Sequence, residues 1–365
     1  MKTTAAVLRT GNGPFTIEKL ELGSPGPREV LVRVVAAGMC HTDLLSRELP
    51  PEFFAGPRVY GHEGSGVVEA VGSDVESVRP GDQVVLSFNY CGSCKSCRKR
   101  RFPYCFDFGL HNMSGGRPDG STAFVDASGA SIGSHFFGQS SFATHTIAAE
   151  ASVVKVDASA PIRRMGPLGC GIQTGAGAIL NTLAVEAGSS VVVTGAGALG
   201  LSAIMAAKVA GAGTIVAVDR HQSRLDLARR YGATHTVSAT ADEITAAISS
   251  ATGGADYAFD TTGVAALVRA SHAALNVTGT IALAGVGFGD LTVDFLSMIS
   301  GRTITGVMEG DSVPTEFIPY LARLNAEGKF PYDELITEFP LDRINEAEAA
   351  SASGAVIKPV LVMPD

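Results

Sequence analysis

From residue 190 to 308 the chain switches repeatedly between two periodicities, and few folds accept such an alternation. Apolar, β-branched runs at 191–194, 214–219, 234–237, 256–260, 280–284 and 303–307 have the length of strands. Between them, 199–210, 224–231, 241–249 and 265–275 carry apolar residues at helical spacing. Parallel strands need a long crossover, and a helix is the usual one. Six such runs joined by helices predict a doubly wound parallel sheet, a Rossmann domain of the α/β class.

The first strand-to-helix turn of this region reads Gly195-Ala196-Gly197-Ala198-Leu199-Gly200. In a chain with 43 glycines a G-x-G-x-x-G match is weak alone, and its place between a strand and a helix gives it meaning. The glycines permit a tight turn and close backbone approach, so that a pyrophosphate can sit at the helix N-terminus. Gly195, Gly197, Ala198, Leu199 and Gly200 are therefore candidate coenzyme contacts. Asp219 closes the next strand nineteen residues after Gly200, where a carboxylate would bond the adenosine ribose hydroxyls. Its charge repels a 2′-phosphate, which predicts NAD rather than NADP; Arg220 alongside weakens that discrimination slightly.

The first 155 residues read differently. Residues 1–10, 29–35, 66–71 and 83–86 have strand character, and Pro80-Gly81-Asp82 is a turn. This half is expected to be β-rich and barrel-like. Helices near 314–327 and 342–351 and a strand at 356–362 fall outside the six-strand pattern and are expected to return to the first domain. The Gly- and Ser-rich stretch 114–141 is the candidate long loop. No internal repeat or low-complexity segment is evident.

Four of the six cysteines, Cys91, Cys94, Cys97 and Cys105, fall within fifteen residues. Thiolates so closely spaced can close a tetrahedron around Zn²⁺ with no open position, which is the form of a structural site. Lys95, Arg98, Lys99, Arg100 and Arg101 would offset the charge of a four-thiolate centre. An iron–sulfur cluster or reduced surface thiols are alternatives on spacing alone. Disulfides are disfavoured, because the chain is long, opens without an evident signal peptide and clusters its cysteines.

The other two cysteines lie in informative strings. Gly38-Met39-Cys40-His41-Thr42-Asp43 follows a strand, Gly61-His62-Glu63-Gly64-Ser65-Gly66 enters the next, and Gly169-Cys170-Gly171 stands where the β-rich half meets the Rossmann half. Gly-His-Glu-x2-Gly-x5-Gly-x2-Val is matched in full from Gly61 to Val75 and resembles the signature of the medium-chain zinc alcohol dehydrogenases. The cysteine quartet, the Gly-Cys-Gly junction and the Rossmann half occur in that family's order, and the resemblance covers the whole chain. It implies a GroES-like catalytic domain at 1–168 and 309–365, with a structural zinc loop at 91–105, and an NAD-binding Rossmann domain at 169–308. It also implies two zinc ions per subunit. Cys40, His62 and Cys170 would ligate the catalytic one, leaving the fourth position to water or substrate. Glu63 would stand behind that zinc or serve as an occasional alternate ligand, and Asp43 would hold the second nitrogen of His62.

On the same resemblance Thr42 would bond the alcohol and start a proton relay. The residue that completes the relay in many relatives is a histidine, and here it is Leu45. The relay would then end at the coenzyme ribose, water or another base. His41 matches a pyrophosphate contact and is also a candidate proton acceptor. Arg224 would lie near the adenosine ribose, and Thr174 and Val286 near the nicotinamide. Lys358 matches a basic pyrophosphate contact, with a solvated lysine at a strand end as the plainer reading.

The strings 114–121, 135–142 and 166–174 resemble the bacterial aryl-alcohol and allylic terpene-alcohol dehydrogenases. They imply oxidation of a primary alcohol, of benzyl alcohol or geraniol type, to its aldehyde. Phe53, Phe54, Phe88, Phe108, Leu110 and Ile299 are candidates for the apolar channel such a substrate needs. Short aliphatic alcohols or polyols are the alternative substrates, and a zinc-stapled NAD-binding sensor or structural protein is the non-enzymatic alternative. Net charge is −8 with no extended basic block, which argues against nucleic acid or anionic membrane as partner. No apolar run approaches the ~20 residues of a membrane span. The expectation is a cytoplasmic homo-oligomer. The segment from Cys105 to His145, longer than in many short tetrameric relatives, favours a dimer or dimer-based tetramer.

Overall fold

Strand Glu29–Gly38 is the centre of a seven-stranded sheet, and its burial alternates as one expects of a pleated strand lying on a core. It pairs antiparallel with Glu63–Val71, from Val30 opposite Val71 to Gly38 opposite Glu63, and with His145–Ala149. Its last three residues pair antiparallel with Lys358–Val362, where Val360 lies opposite Gly38. Two register shifts, at Leu31/Val32 and Val34/Ala36, bend the strand as bulges do. The structure, a computed structural model, describes residues 1–44, 56–238 and 241–364, so Leu45, Phe53 and Phe54 lie outside the described residues.

The chain divides into two units: Met1–Cys170 with Val313–Arg323 and Asp333–Asp365, and Gly171–Ser312 with Leu324–Tyr332. In the first, a five-stranded sheet runs in the order Arg58–Val59, Lys2–Leu8, Phe15–Leu22, Phe124–Val125, Ser131–Ile132. Its buried face shares one apolar core with the seven-stranded sheet, built from Ala5, Val7, Phe15, Val34, Phe88, Phe142 and Leu361 among others. This is the β-rich domain that the sequence predicts.

The segment 114–141 departs from the expected loop. It contains two short strands and a 3-10 turn at Phe136–Gly138, and every residue from Phe136 to Phe142 is buried. Its glycines allow close packing as well as turning: a Cβ on Gly133 would lie 2.7 Å from Arg58 Cβ. His135, Phe137 and Ser140 have φ of 58°, 52° and 60°, a left-handed backbone that costs non-glycine residues about 1 kcal/mol each. Buried hydrogen bonds and ring packing around the zinc-ligand candidate His62, described below, hold that backbone in place.

In the second unit six parallel strands follow the order His235–Val237, Thr214–Val218, Ser190–Thr194, Ala255–Asp260, Leu275–Leu283, Thr303–Gly306. All neighbouring pairs are parallel, and the order reverses between Ser190–Thr194 and Ala255–Asp260. All six expected strands are present; the fifth starts at Leu275, earlier than its apolar run suggests, with a register shift at Ala255/Tyr257. Residues 309–312 group with this unit, whereas the family resemblance placed them in the first domain. The physical reason is local: Gln173 Nε2 donates to Glu309, Asn181 Nδ2 to the Gly310 carbonyl and Thr182 Oγ1 to Asp311. Leu324–Tyr332 groups there too, with Leu324, Phe330 and Tyr332 buried. Among the described residues no helix is long and apolar enough to cross a membrane.

Candidate active site and structural metal site

Cys91, Cys94, Cys97 and Cys105 come together with their sulfur atoms all within 4.8 Å of one another. Short turns achieve this: the Cys94 amide donates to Cys91 Sγ at 3.3 Å, the Cys97 amide to Cys94 Sγ at 3.5 Å, and the Cys91 amide to Cys105 Sγ at 3.4 Å. Such amides stabilise thiolates. At Cys91 burial would raise the pKa, but the amides of Cys94 and Ser93 outweigh it and bring the thiol down to about 6. Arg98 and Arg101, expected to offset the thiolates, are engaged locally: Arg98 donates to the Ser93 carbonyl, and the Arg101 guanidinium lies 4.9 Å from the Tyr104 ring.

The second group is drawn from distant segments. Cys40 follows the central strand, His62 precedes Glu63–Val71, and Cys170 follows the 3-10 turn Gly166–Gly169. Their ligand atoms and a carboxylate oxygen of Glu63 lie within 4.8 Å of one another. Asp43 ties two of these segments together. Its Oδ1 lies 2.8 Å from His62 Nδ1 and accepts from the Gly61 amide at 3.0 Å, while Oδ2 accepts from the Cys40 amide at 2.9 Å. Burial would lower the pKa of His62, but the Asp43 carboxylate outweighs it and raises it well above the usual range. The Cys40 thiol is held well below its usual range by its hydrogen bond with Cys170 and, against burial, by His62. Thr42 Oγ1 lies 3.8 Å from Cys40 Sγ, and His41 is exposed at the start of the turn His41–Leu44.

The donor set fits a zinc ion. Two sulfurs and one imidazole converge, and among the described residues the buried His62 Nε2 has no hydrogen-bond partner, while Nδ1 is fixed by Asp43. A buried imidazole nitrogen left without a partner is costly unless a ligand fills it.

Several contacts of the site carried no mark in the sequence. Gln139 Nε2 donates to the carbonyls of His62 and Ser87, each at 2.9 Å, and its Oε1 accepts from the Gly64 amide. Phe137 lies against the His62 ring with centroids 4.6 Å apart, and Phe136 meets its edge at 5.6 Å. Both sit in the string 135–142, whose resemblance to aryl-alcohol enzymes was the one available signal. Lys358 is 2 % exposed, and its ammonium lies against Glu63, with Nζ donating to Oε1 at 2.7 Å. It is not the solvated lysine of the plainer reading, and no local pattern marks a pairing across 295 residues.

Of the channel candidates, Phe88 is fully buried, and Phe108 meets Phe137 edge-on at 5.9 Å. Leu110 and Ile299 are exposed.

In the second unit the glycine-rich turn has the expected strand–turn–helix setting, with Gly195 at φ 88° and Gly197 preceding the helix Ala198–Ala210. A Cβ on Gly200 would lie 1.8 Å from the Gly195 carbonyl, so glycine is required for packing. A Cβ on Gly197 would meet no described atom within 4 Å; the free space there suits a ligand. Asp219 Oδ2 accepts from the Ala196 amide and Oδ1 from the His221 amide, both at 2.8 Å, and Arg224 Nη1 lies 3.9 Å from Oδ2. Thr174 is buried on the helix Gly171–Gly177, and Val286 is exposed.

Two family descriptions match the chain, an alcohol dehydrogenase GroES-like domain over residues 26–158 and a zinc-binding dehydrogenase over 198–326. A geraniol dehydrogenase of Castellaniella defragrans is 42% identical over 98% of this chain and 97% of its own length. The chain belongs to the medium-chain zinc-dependent alcohol dehydrogenase family. Within that family, the crystal structure of an alcohol dehydrogenase zinc-binding domain protein from Burkholderia ambifaria is 47% identical, with a TM-score of 0.96 and full coverage of both chains. That of benzyl alcohol dehydrogenase from Acinetobacter calcoaceticus is 43% identical, with a TM-score of 0.95 and the same coverage. The family is one of zinc- and NAD(H)-dependent enzymes, and the fold matches it in both halves.

Proposed function

We propose that this dehydrogenase oxidises a primary alcohol on an aromatic ring or allylic chain to the aldehyde, with NAD as coenzyme and two zinc ions per subunit. The convergence of Cys40, Cys170 and the buried Nε2 of His62 carries the reading. The geraniol and benzyl alcohol dehydrogenases among its relatives support the substrate class, as do the Phe136 and Phe137 rings beside His62.

When bound, zinc would supply Lewis acidity at the alcohol oxygen, and NAD a hydride acceptor. Asp43 fixes the tautomer and direction of His62, which presents Nε2 to the metal position. Thr42 would take the alcohol proton at Oγ1 and pass its own onward, and exposed His41 is a candidate acceptor or phosphate contact. Gly195, Gly197, Ala198, Leu199 and Gly200 would receive the pyrophosphate, while the Lys358 ammonium is committed to Glu63 instead. Asp219 and Arg224 would bond the adenosine ribose, and Thr174 and Val286 would face the nicotinamide. Glu63 stands behind the metal position. The cysteine quartet would hold the second zinc as a staple.

The same reading takes the protein as a cytoplasmic homo-oligomer, a dimer or dimer-based tetramer. Free thiols gathered in two metal-ligand groups suit a reducing compartment. Thr303–Gly306 is the last strand of the six-stranded sheet, and the helix before it exposes Phe295, Leu296 and Ile299. An open strand edge beside apolar side chains is suited to pairing with its own copy about a two-fold axis.

Steady-state kcat/KM for benzyl alcohol, geraniol, ethanol and sorbitol, measured with zinc content, tests the reading. Benzyl alcohol or geraniol should lead by about two orders of magnitude, since each buried methylene is worth about 0.8 kcal/mol. Ethanol or sorbitol as best substrate overturns the substrate class. Cys40→Ser should abolish turnover in a folded protein; retained activity overturns the ligand assignment.

A further inference from the structure

Glu63 and Lys358 reach each other across the central strand. Glu63 opens the strand paired on one side of Gly38, and Lys358 opens the strand paired on the other. A Cβ on Gly38 would lie 2.0 Å from Glu63 Oε2, so the carboxylate occupies space that any other residue would fill. Lys358 Nζ lies 2.7 Å from Oε1 and 2.6 Å from Oε2, and it donates to the Met39 carbonyl at 3.2 Å. Both side chains are buried, so each charge needs the other nearby.

The same carboxylate stands within ligand reach of Cys40, His62 and Cys170. Two cations therefore compete for it: the ammonium, and the ion the other three would hold. The outcome matters, because zinc with four protein ligands is closed, whereas a catalytic site keeps one position for water or substrate. With both carboxylate oxygens against Lys358, Glu63 is engaged on the ammonium side.

We propose that Lys358 is a positioning residue that keeps the Glu63 carboxylate off the metal, so that the fourth coordination position stays open to the alcohol. The inference rests on the reading of Cys40, His62 and Cys170 as catalytic zinc ligands. It predicts an uncommon pattern, in which removing a distant charge makes the metal site tighter and less active together.

Lys358→Met removes the ammonium that competes with the metal for the Glu63 carboxylate. Turnover should fall about 10–100-fold, the usual cost of losing a residue that orients a metal ligand. Release of the catalytic zinc to a chelator should slow about tenfold or more, and the ligand-field spectrum of the cobalt-substituted protein should no longer respond to added alcohol. Glu63→Gln combined with Lys358→Met removes both charges and should restore turnover to within about tenfold of the parent. Lys358→Arg keeps a cation at the carboxylate and should release zinc at the parental rate; this arm stands even if Lys358→Met does not fold.

Zinc release from Lys358→Met as fast as from the parent, no recovery in the double variant, or slowed release from Lys358→Arg overturns the inference. Parent protein with two zinc ions and any of these results sinks the inference alone. Parent protein with only the quartet's zinc sinks both it and the catalytic-site reading.

Discussion

Asp43 Oδ1 lies 2.8 Å from His62 Nδ1, with both side chains fully buried, and the other oxygen of the same carboxylate holds the backbone amide of Cys40. One side chain thus sets the position of two metal-ligand candidates. Asp43→Asn keeps the size but places an amide donor against either His62 Nδ1 or one of the two backbone amides. It should lower kcat/KM about 10–100-fold and speed zinc loss to a chelator, as removal of such partners generally does. Unchanged kinetics and chelation would show that Asp43 does not orient His62.

The quartet should act on stability and leave the chemistry alone. Cys97 is buried among the other three sulfurs, and Cys97→Ala removes one ligand of the closed site. The variant should lose one zinc per chain and about 3 kcal/mol, or roughly 5–10 °C in Tm by calorimetry. Turnover per folded molecule should stay within about threefold. A variant of full zinc content and unchanged Tm would remove the quartet as a staple.

How much of this was legible beforehand depended on how far each interaction runs along the chain. The cysteine quartet closes through turns of two and seven residues, so spacing alone located it. Asp43 sits three residues from Cys40, inside a string that could be read locally. Glu63 and Lys358 meet only because their strands flank Gly38, and no local pattern records which strands become neighbours. Glycine in 114–141 was ambiguous for another reason. The same residue permits a free loop and a close backbone approach, and at Gly133 packing against Arg58 decides the matter. The Rossmann half was legible because its strands and crossovers have different periods, whereas the start of the fifth strand at Leu275 was set by pairing with Ala255.

Asp219 anchors the glycine-rich turn, since its Oδ2 accepts from the Ala196 amide, and is the proposed ribose contact. Asp219→Ala should raise the KM for NAD about 10–100-fold, the value of one or two hydrogen bonds to a charged group. Discrimination against NADP should relax as the negative charge disappears. Equal coenzyme constants in parent and variant would refute the ribose role.

Glu29 gives the fold a defined acid limit. Burial would raise its pKa, but hydrogen bonds from His135 and Arg117 outweigh burial and bring it from 4.5 to about 2. The folded-state value is depressed, so the stabilisation is present above the unfolded value and is lost as pH falls from about 4.5 to about 2. Its upper bound is about 3 kcal/mol. Glu29→Gln should therefore destabilise the protein at neutral pH, with the difference from the parent shrinking across that acid window in urea titrations. A difference independent of pH would show that the charge of Glu29 contributes nothing.

The open edge of the six-stranded sheet provides the test of assembly. Phe295 and Leu296 are 78 % and 73 % exposed just before the edge strand Thr303–Gly306. In a two-fold interface each residue is buried twice, so one Leu or Phe contributes about 3–6 kcal/mol per dimer. Leu296→Asp removes that contribution and places like charges near each other across the axis. The dimer dissociation constant should rise about 10²–10⁴-fold. Light scattering on the parent should give a mass of two or four 37.5 kDa subunits, and the variant should fall toward one at micromolar concentration. An unchanged mass would mean that the assembly uses another face and that the apolar helix serves some other contact.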